Sequence, residues 1–385
     1  MKIVIAPDSY KESLSALDVA TQIERGFREI FPAAHYVKLP VADGGEGTVD
    51  AMVAATGGEK VSLRVTGPLG EPLEAFYGLS GDGRCAIIEM AAASGLECVP
   101  PARRDALHAT SWGTGELILH ALDSGIEHLI IGIGGSATND GGAGMVQALG
   151  ARLLDVNGQQ IGYGGAALAG LTAIDLDEFD ARILRCRIEV ACDVTNPLTG
   201  EQGASAVFGP QKGADPQQVR QLDDALAHFA TIIQRDLGVD VLSVPGGGAA
   251  GGMGAGLYAF CQATLRPGIE IVTDALGLEA QVQDAALVIT GEGRIDSQTI
   301  HGKVPVGVAR IAKRFNIPTI AIAGSLTRDV GVVHQHGLDA VFSVIYRICS
   351  LDEALQEAAD NVRLTARNVA ATLAAGQLLP PGGRE

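Results

Sequence analysis

The sequence AALVITGEGRIDSQTIHGKVP, residues 285–305, contains the pattern that decides the fold. It opens with an apolar run, which predicts a strand buried on both faces of a parallel sheet. The run breaks into Gly-Glu-Gly-Arg, and four charged residues then stand among glycines and hydroxyls: Glu292, Arg294, Asp296 and Lys303. Pro305 follows near the start of an amphipathic segment, as the first turn of a helix tolerates. Open α/β sheets bind ligands at such strand ends, so we predict one wall of an active site here.

The same strand-turn-helix pattern occurs at both ends of the chain. Five short apolar runs fit it: 2–6, 36–39, 286–290, 319–323 and 340–344. The first is followed by a helical pattern that begins at Ser13 or Ser15 and extends to about residue 30. A second helix is expected to end near residue 55, and a long terminal helix covers about 351–374. The pattern predicts a five-stranded, doubly wound parallel sheet.

The middle of the chain has a different pattern. Alternating runs at 61–65, 73–79 and 86–90 are separated by turn residues, which predicts an antiparallel meander. Further elements are expected in this order: a helix at 115–122, strands at 128–133 and 188–191, a helix at 217–237, and a glycine-rich run at 245–257 leading into a helix to about 265. We therefore predict an α/β fold whose discontinuous flavodoxin- or Rossmann-like domain carries a second, inserted α/β domain. The predicted domains are residues 1–60 plus 285–385 and residues 61–284, and the tail 378–385 is expected to fray.

Composition narrows the functional classes. The 385 residues carry a formal net charge of −17, which argues against nucleic acid or an anionic membrane as the main partner. Aromatic residues make up only 4%, too few for base-stacking platforms. The six cysteines form no C-x-x-C pair, and neither a signal sequence nor a membrane-length apolar run is evident. We expect a cytoplasmic protein with no nucleic-acid or membrane partner.

Five loops that follow predicted strands are rich in Gly, Asp, Ser and Thr: 7–11, 43–48, 134–144, 193–196 and 291–299. Such turns expose backbone N–H groups that bind anions, although turns use these residue types anyway. None contains G-x-x-x-x-G-K-[ST], and no G-x-G-x-x-G follows the first strand, so neither a P-loop nor a dinucleotide site is indicated. Together, five loops of this kind predict a shared cleft.

The loops of the discontinuous domain supply candidate substrate ligands. These are Asp8, Ser9, Asp43, Gly44, Gly45, Gly47, Gly291, Glu292 and Gly293. Lys11 suits a carboxylate or phosphate as a point charge, and a helix cap beside a solvated lysine explains it equally well. Asp43 suits Mg²⁺ or a substrate hydroxyl, or it is simply a turn residue. Arg294 with Asp296 suits the clamping of a carboxylate or a transferring phosphoryl group, or is a plain ion pair.

The loops of the inserted domain supply candidates for nucleotide binding and for acid–base chemistry. Backbone and hydroxyl donors that could surround phosphates are concentrated in one loop, at Gly134, Gly135, Ser136, Thr138, Asn139 and Asp140. Asp193 follows a buried strand, where it could act as general base or metal ligand. An Asx-type turn with Asn196 and Pro197 is the alternative. We expect His301 to be a surface residue.

Seven motifs, in order along almost the whole chain, resemble the bacterial glycerate kinase family. They are IAPDSYKESLSA (5–16), PVADGGEGT (40–48), GIGGSATNDGGAGM (132–145), ACDVTNPLTG (191–200), FGPQKGA (208–214), GGGAAGGMGAGL (246–257) and ITGEGRIDSQTIHGKVP (289–305). The resemblance implies an ATP- and Mg²⁺-dependent kinase of D-glycerate that favours 2-phosphoglycerate, in glyoxylate or glucarate breakdown. It also implies the discontinuous fold and the small-molecule partners glycerate and ATP. The sequence leaves the oligomeric state open, with a homodimer as one candidate.

Chemistry suggests the roles within such a kinase. We expect glycerate to lie between the strand ends of the discontinuous domain and the insert, with Lys11 and Arg294 holding its carboxylate and the phosphoryl group. Asp193 accepts the hydroxyl proton or binds Mg²⁺, and Asp8, Asp43 and Asp296 compete for both roles. A kinase of a related sugar acid and a non-catalytic hydroxy-acid sensor are the alternatives.

Overall fold

The computed structural model describes residues 1–378 and contains two compact units. The first comprises Met1–Asp43, Asp50–Thr56 and the chain from Val272 onward. The second comprises Gly44–Val49 and Gly57–Ile271. The predicted domain boundaries stay predictions. From residue 379 onward, the tail that was expected to fray lies outside the described residues.

Strands and helices alternate along both units. The strands are β1 Lys2–Ile5, β2 His35–Lys38, β3 Glu59–Thr66, β4 Pro72–Leu79, β5 Cys85–Glu89, β6 His128–Gly132, β7 Arg152–Leu154, β8 Ala173–Asp175, β9 Arg187–Ala191, β10 Thr264–Arg266, β11 Leu287–Thr290, β12 Arg294–Ile295, β13 Thr319–Ala323, β14 Ser325–Leu326 and β15 Ala340–Ser343. The α-helices are α1 Ala16–Arg28, α2 Thr48–Thr56, α3 Ala91–Ser94, α4 Trp112–Asp123, α5 Ala143–Ala148, α6 Ala204–Phe208, α7 Pro216–Leu237, α8 Met253–Cys261, α9 Gly268–Ala275, α10 Leu278–Val282, α11 Val304–Arg314, α12 Leu351–Gln356 and α13 Ala358–Gly376.

The first unit is built on a five-stranded sheet in the order β15-β13-β11-β1-β2, with every neighbouring pair parallel. Counted along the chain within this sheet alone, the order is 2-1-3-4-5, the flavodoxin-like arrangement. The central strands β11 and β13 are buried along their whole length, as their apolar sequences require. The prediction of an α/β fold with a flavodoxin-like parallel sheet is confirmed.

Helices cover both faces of this sheet. On one face, Ile3 and Ile5 of β1 pack with Ile23 and Phe27 of α1, and helix α13 completes the layer. Gly26 brings α1 and α13 into close contact, because a side chain there would overlap the backbone of α13. A second apolar cluster, which includes residues of α11 and β13, covers the other face. Layers on both sides leave the strand ends as the accessible edge of the sheet.

The second unit is built on a mixed six-stranded sheet in the order β10-β9-β6-β5-β4-β3. Strands β3, β4 and β5 form the predicted antiparallel meander, and β5, β6, β9 and β10 run parallel. A large apolar cluster of this unit's helices packs against the sheet. The loops after β5, β6, β9 and β10 therefore emerge at one edge.

Two predicted helices differ from those observed. The helix expected to reach residue 265 ends at Cys261, because Gln262 adopts a left-handed conformation with φ of 52°. The next residues instead form β10, which pairs with β9 at Thr264 and Glu189. The long terminal helix is two helices, interrupted at Glu357. Local apolar patterns did not distinguish a three-residue edge strand from the continuation of a helix.

Candidate active site

The carboxyl ends of β1 and β11 lie side by side, where the strand order of the first unit's sheet reverses. The amide of Asp8 donates to the carbonyl oxygen of Gly291 at 2.8 Å, which extends the pairing of the two strands into their loops. The Thr290 hydroxyl also donates to the Ala6 carbonyl oxygen, at 2.8 Å. Open α/β sheets bind ligands in the crevice at such a switch point. Asp8, Ser9, Gly291, Glu292 and Gly293 are therefore brought together, as predicted from the sequence.

Asp8 is a partly buried carboxylate at this switch point. Burial, and then the negative charge of Asp43, raise its pKa to about 7. The amide of Ser9 donates to Asp8 Oδ1 at 2.6 Å, and this hydrogen bond acts in the opposite direction without cancelling the rise. A carboxylate with this pKa changes its charge near neutral pH, which suits a general base.

Glu292 is a second carboxylate with unusual acidity. Its side chain is buried, and the Thr299 hydroxyl donates to its Oε1 at 2.6 Å. Burial is the main reason that its pKa rises to about 7, and the negative charges of Asp8 and Asp43 add to the rise. Two acidic groups of the same sheet edge therefore titrate in the same pH range.

Lys303 balances part of this negative charge. Its Nζ lies 2.6 Å from Oδ2 of Asp43, and about half of the lysine side chain is exposed. Burial alone would lower the pKa of Lys303, but the hydrogen bond to Asp43 and the charges of Asp43, Glu292 and Asp8 raise it. We call Asp8, Asp43, Glu292 and Lys303 the switch-point cluster. It combines three carboxylates with one ammonium group.

The protein is closely packed around Gly291. A side chain at Gly291 would overlap the carbonyl oxygen of Ile322, so this position requires glycine. The buried Tyr10 hydroxyl donates to the same carbonyl oxygen at 2.6 Å. Burial and the nearby Glu292 raise the Tyr10 pKa, so this phenol stays protonated. These contacts fix the backbone that carries Glu292.

Lys11 and Arg294, the residues predicted to hold a carboxylate or a phosphoryl group, are both exposed. Lys11 is exposed in the turn after β1. Arg294 is 66% exposed, and its Nε lies 3.4 Å from Oδ2 of Asp296. Asp296 also caps the following 3-10 turn, accepting from the amide of Gln298 at 2.8 Å. Its carboxylate therefore has a local structural role as a cap, in addition to the ion pair with Arg294 that the sequence had offered as the alternative.

The predicted glycines Gly44, Gly45 and Gly47 belong to the second unit, unlike Asp43. Gly44 has φ of +89°, and a side chain there would overlap Ala191 at the end of β9. Glycine is thus required because the loop lies directly on the sheet edge. The Thr48 hydroxyl donates to the carbonyl oxygen of Gly45 at 2.6 Å and closes the turn.

The 134–144 loop follows β6 in the second unit. Gly134 and Gly135 are exposed. Within residues 1–378, the amides of Gly134 and Gly135 donate no hydrogen bond. A side chain at Gly134 would meet open space. Accessible, unpaired backbone amides in a strand-end loop are the feature that binds phosphate oxygens.

Asp140 holds this loop together from inside. It is fully buried, and Oδ2 accepts from the Ser111 amide at 2.9 Å, the Ser111 hydroxyl at 2.8 Å and the Gly144 amide at 3.2 Å. Its Oδ1 accepts from the Gly142 amide at 3.1 Å. Four donors satisfy the carboxylate, so Asp140 is suited to support the loop and has little capacity left for direct nucleotide contact.

Thr138 and Asn139, also predicted to bind nucleotide, are fully buried. The Thr138 carbonyl oxygen accepts from Nζ of Lys212 at 2.5 Å. Asn139 donates through Nδ2 to the Ser205 hydroxyl at 2.9 Å. The two side chains line the interior of the loop, whereas Gly134 and Gly135 form its accessible part.

Asp193 follows β9 and is exposed. Its Oδ1 accepts from the amide of Gly268 at 3.0 Å, at the first residue of α9. One carboxylate oxygen therefore connects the loops after β9 and β10. This arrangement is compatible with a structural role and with the binding of a cation that brings most of its own ligands.

Carboxylate oxygens suit Mg²⁺, but the carboxylates of the switch-point cluster do not form a metal site by themselves. Among residues 1–378, no three His, Cys, Asp or Glu side chains gather closely enough to hold a metal ion by themselves. Mg²⁺ commonly binds one or two carboxylates and takes its other ligands from water and substrate phosphates. Asp43 and Asp193 fit that limited role.

None of the helices within the described range is long and apolar enough to cross a membrane.

The parallel strands, the titratable carboxylates of the first unit and the unpaired glycine amides of the second are features typical of α/β enzymes that bind small anions. The model of the glycerate kinase family matches residues 3–374. Glycerate 2-kinase of Escherichia coli K12 is 65% identical over 98% of this chain and 99% of its own length, and glycerate kinase of Bacillus subtilis 168 is 58% identical over 97% and 98%. A crystal structure from Salmonella typhimurium LT2, of a protein assigned as glycerate kinase 2, has a TM-score of 0.93 and 72% identity over 98% of this chain and 100% of that one. The chain belongs to the glycerate kinase family and is an enzyme, a kinase.

Sequence reasoning gave no role to Lys303 and Lys212. Lys303 was noted among the charges of residues 285–305, but its ion pair joins positions 260 residues apart. Lys212 lies in the FGPQKGA motif, and its burial depends on tertiary packing. The sequence did contain one indication of a role for Lys212. It is the single charged residue of the FGPQKGA motif, which is part of the resemblance to the family.

Proposed function

We propose that this enzyme transfers the γ-phosphoryl group of ATP to the 2-hydroxyl of D-glycerate, giving 2-phosphoglycerate and ADP. The observation that carries the proposal is the match over nearly the full length to glycerate kinases, including one whose name specifies a 2-kinase. The switch-point cluster and the 134–144 loop supply the chemistry that this reaction needs. We also propose a cytoplasmic location and a homodimer, and sedimentation analysis tests the oligomeric state.

In this proposal, Asp8 is the general base. A base that accepts the hydroxyl proton works best when its pKa lies near the working pH, and the Asp8 pKa of about 7 meets this condition. The proton moves from the glycerate hydroxyl to Asp8 as that oxygen attacks phosphorus. Asp193 was the first choice from sequence, and its hydrogen bond to Gly268 now favours a role in orientation or cation binding.

Lys11, Arg294 and Lys303 are the proposed cationic groups of the first unit. Arg294 is exposed and charged, and can form paired hydrogen bonds with a carboxylate or phosphoryl group. Lys303 already neutralises Asp43 and is positioned to limit repulsion between the cluster and an anionic substrate. Phosphoryl transfer depends chiefly on positioning and charge neutralisation, so these groups and the amides of Gly134 and Gly135 account for much of the required chemistry.

Mg²⁺ is proposed to accompany the nucleotide. When bound, it would neutralise phosphate charge, with Asp43 or Asp193 as the carboxylate ligand. The fit rests on donor type, since both residues offer carboxylate oxygens and phosphates supply the rest.

The test is turnover with defined substrates. The purified enzyme is incubated with ATP, MgCl₂ and D-glycerate, ADP is measured, and the product is identified by phosphorus NMR. We expect ADP formation that depends on D-glycerate and a 2-phosphoglycerate signal. A 3-phosphoglycerate signal would overturn the proposed regiochemistry. Binding of D-glycerate without ADP formation would favour the sensor, and faster turnover of a longer sugar acid would favour that acid as substrate.

A further inference from the structure

Lys212 is a buried lysine that the proposed reaction does not use. It ends the short 3-10 turn Pro210–Lys212 of the second unit, and its residue surface is only 1% exposed. Its Nζ donates to the carbonyl oxygen of Thr138 at 2.5 Å. The ammonium group therefore lies against the backbone of the 134–144 loop.

This ammonium group lacks a contacting anion. No ion pair of Lys212 is found within the described range, and the nearby Asp140 carboxylate is occupied by Ser111, Gly142 and Gly144. A buried cation without a contacting anion is unfavourable. Burial accordingly lowers the Lys212 pKa to about 7, while the charge of Asp140 acts in the opposite direction. An anion bound at the loop would gain from this positive charge.

The backbone that Lys212 contacts also carries unsatisfied polar atoms. Thr138 Oγ1 and Asn139 Oδ1 are buried and have no hydrogen-bond partner among the described residues. Buried polar atoms are normally paired, so the packing of this segment leaves two of its polar atoms without the usual partners. Lys212 is the charged side chain bonded to that segment.

We propose that Lys212 is a positioning residue for the phosphoryl donor: it fixes the loop backbone at Thr138 and contributes a positive charge to the loop that carries the exposed amides of Gly134 and Gly135. The inference rests on the proposed binding of nucleotide phosphates by this loop. Lys212 acts through the loop, so its loss affects the nucleotide more than glycerate.

A purely structural role predicts a different result. If Lys212 only held the fold together, its replacement would lower the stability of the enzyme. Activity would then fall to the same extent whether ATP or glycerate is the varied substrate. The positioning role predicts that Lys212→Met keeps or gains stability, because the variant removes a buried, unpaired charge. The Michaelis constant for ATP would rise while that for glycerate stays nearly constant.

The experiment measures ADP affinity by calorimetry, both Michaelis constants and urea unfolding for wild type, Lys212→Met and Lys212→Arg. We expect Lys212→Met to weaken ADP binding by about tenfold or more and to change the Michaelis constant for glycerate by less than about twofold. Lys212→Arg should recover part of the ADP affinity, since it keeps a charge and a donor. Should Lys212→Met fail to fold, Lys212→Gln replaces it, because Gln keeps a donor without the charge.

Gly134→Ala separates the two levels of the proposal. If Gly134→Ala weakens ADP binding and the Lys212 variant does not, Lys212 has no positioning role and the loop assignment stands. If neither variant affects ADP binding, the assignment of nucleotide phosphates to the 134–144 loop is wrong. The inference would also be overturned if Lys212→Met were less stable and its kcat/KM fell equally for ATP and for glycerate.

Discussion

The sheet edge of the first unit and the loop after β6 in the second unit differ in chemical character. In the first unit, the edge carries the switch-point cluster, whose Asp8 and Glu292 have pKa values of about 7. In the second unit, the loop after β6 keeps its one carboxylate, Asp140, buried and satisfied by four donors. Its accessible part consists of glycine amides.

The difference indicates what each edge can do. Carboxylates that titrate near neutral pH exchange protons, whereas neutral backbone amides bind an anion without taking part in proton transfer. We therefore assign acid–base chemistry to the edge of the first unit and phosphate binding to the edge of the second. Each prediction below tests one side of this assignment.

The largest expected effect comes from Asp8→Asn. The amide is similar in size but cannot accept the hydroxyl proton, so kcat/KM for glycerate should fall by about 10²–10⁴-fold. Steady-state kinetics at pH 7.5 measure this change. Asp352→Asn, an exposed acid of helix α12 in the same unit, serves as the control and should behave as wild type. Equal activity of the two variants would remove Asp8 from the mechanism.

Arg294→Ala should have the next largest effect. Its exposed guanidinium has little part in packing, so the fold should persist while kcat/KM falls about 10²-fold through loss of charge stabilisation. The matched control is Arg310→Ala, an exposed arginine on helix α11. Circular dichroism verifies the fold of both variants. Near-normal turnover of Arg294→Ala would leave its pairing with Asp296 as a surface ion pair only.

Gly134→Ala tests the phosphate-binding side. A methyl group there meets no protein atom within 4 Å, so stability should not change. It would obstruct a phosphate held by the loop amides, and the Michaelis constant for ATP should rise about tenfold or more. Gly162→Ala is the control, since that exposed glycine of the same unit also faces open space. Unchanged nucleotide kinetics would count against the loop.

Glu292→Gln should change stability in a pH-dependent way. A buried carboxyl whose pKa is about 7 when folded and about 4.3 when unfolded holds its proton longer in the folded state. The free energy of unfolding therefore falls as pH rises between these values, and the loss is complete above pH 7. Gln avoids this loss and keeps the acceptor for Thr299. Urea unfolding should show the variant more stable by about 1–3 kcal/mol at pH 8 and much less so at pH 5. A variant less stable than wild type at pH 8 would contradict the explanation.

The local sequence predicts the strands of the first sheet and the position of two of its acidic residues. The strands of the first sheet are short apolar runs, and the acids Asp8 and Glu292 directly follow two of them. Their raised pKa values were not predictable, because these depend on burial and on Asp43, which comes from a different loop. The partner of Lys303, the enclosure of Lys212 and the short strand β10 also arise from tertiary packing. Asp140 and Asp296 are acidic residues in strand-end loops, as functional residues often are. Only their hydrogen bonds reveal that they support these loops.

The most direct test of acid–base chemistry at the switch-point cluster is the pH dependence of kcat/KM for D-glycerate between pH 5 and 9, at saturating ATP. A general base must be deprotonated to work, so activity should rise with pH through a midpoint near 7, following the Asp8 pKa. The rise should be absent from the residual activity of Asp8→Asn. A wild-type profile that is flat down to pH 5, or an Asp8→Asn profile with the same midpoint, would contradict the assignment.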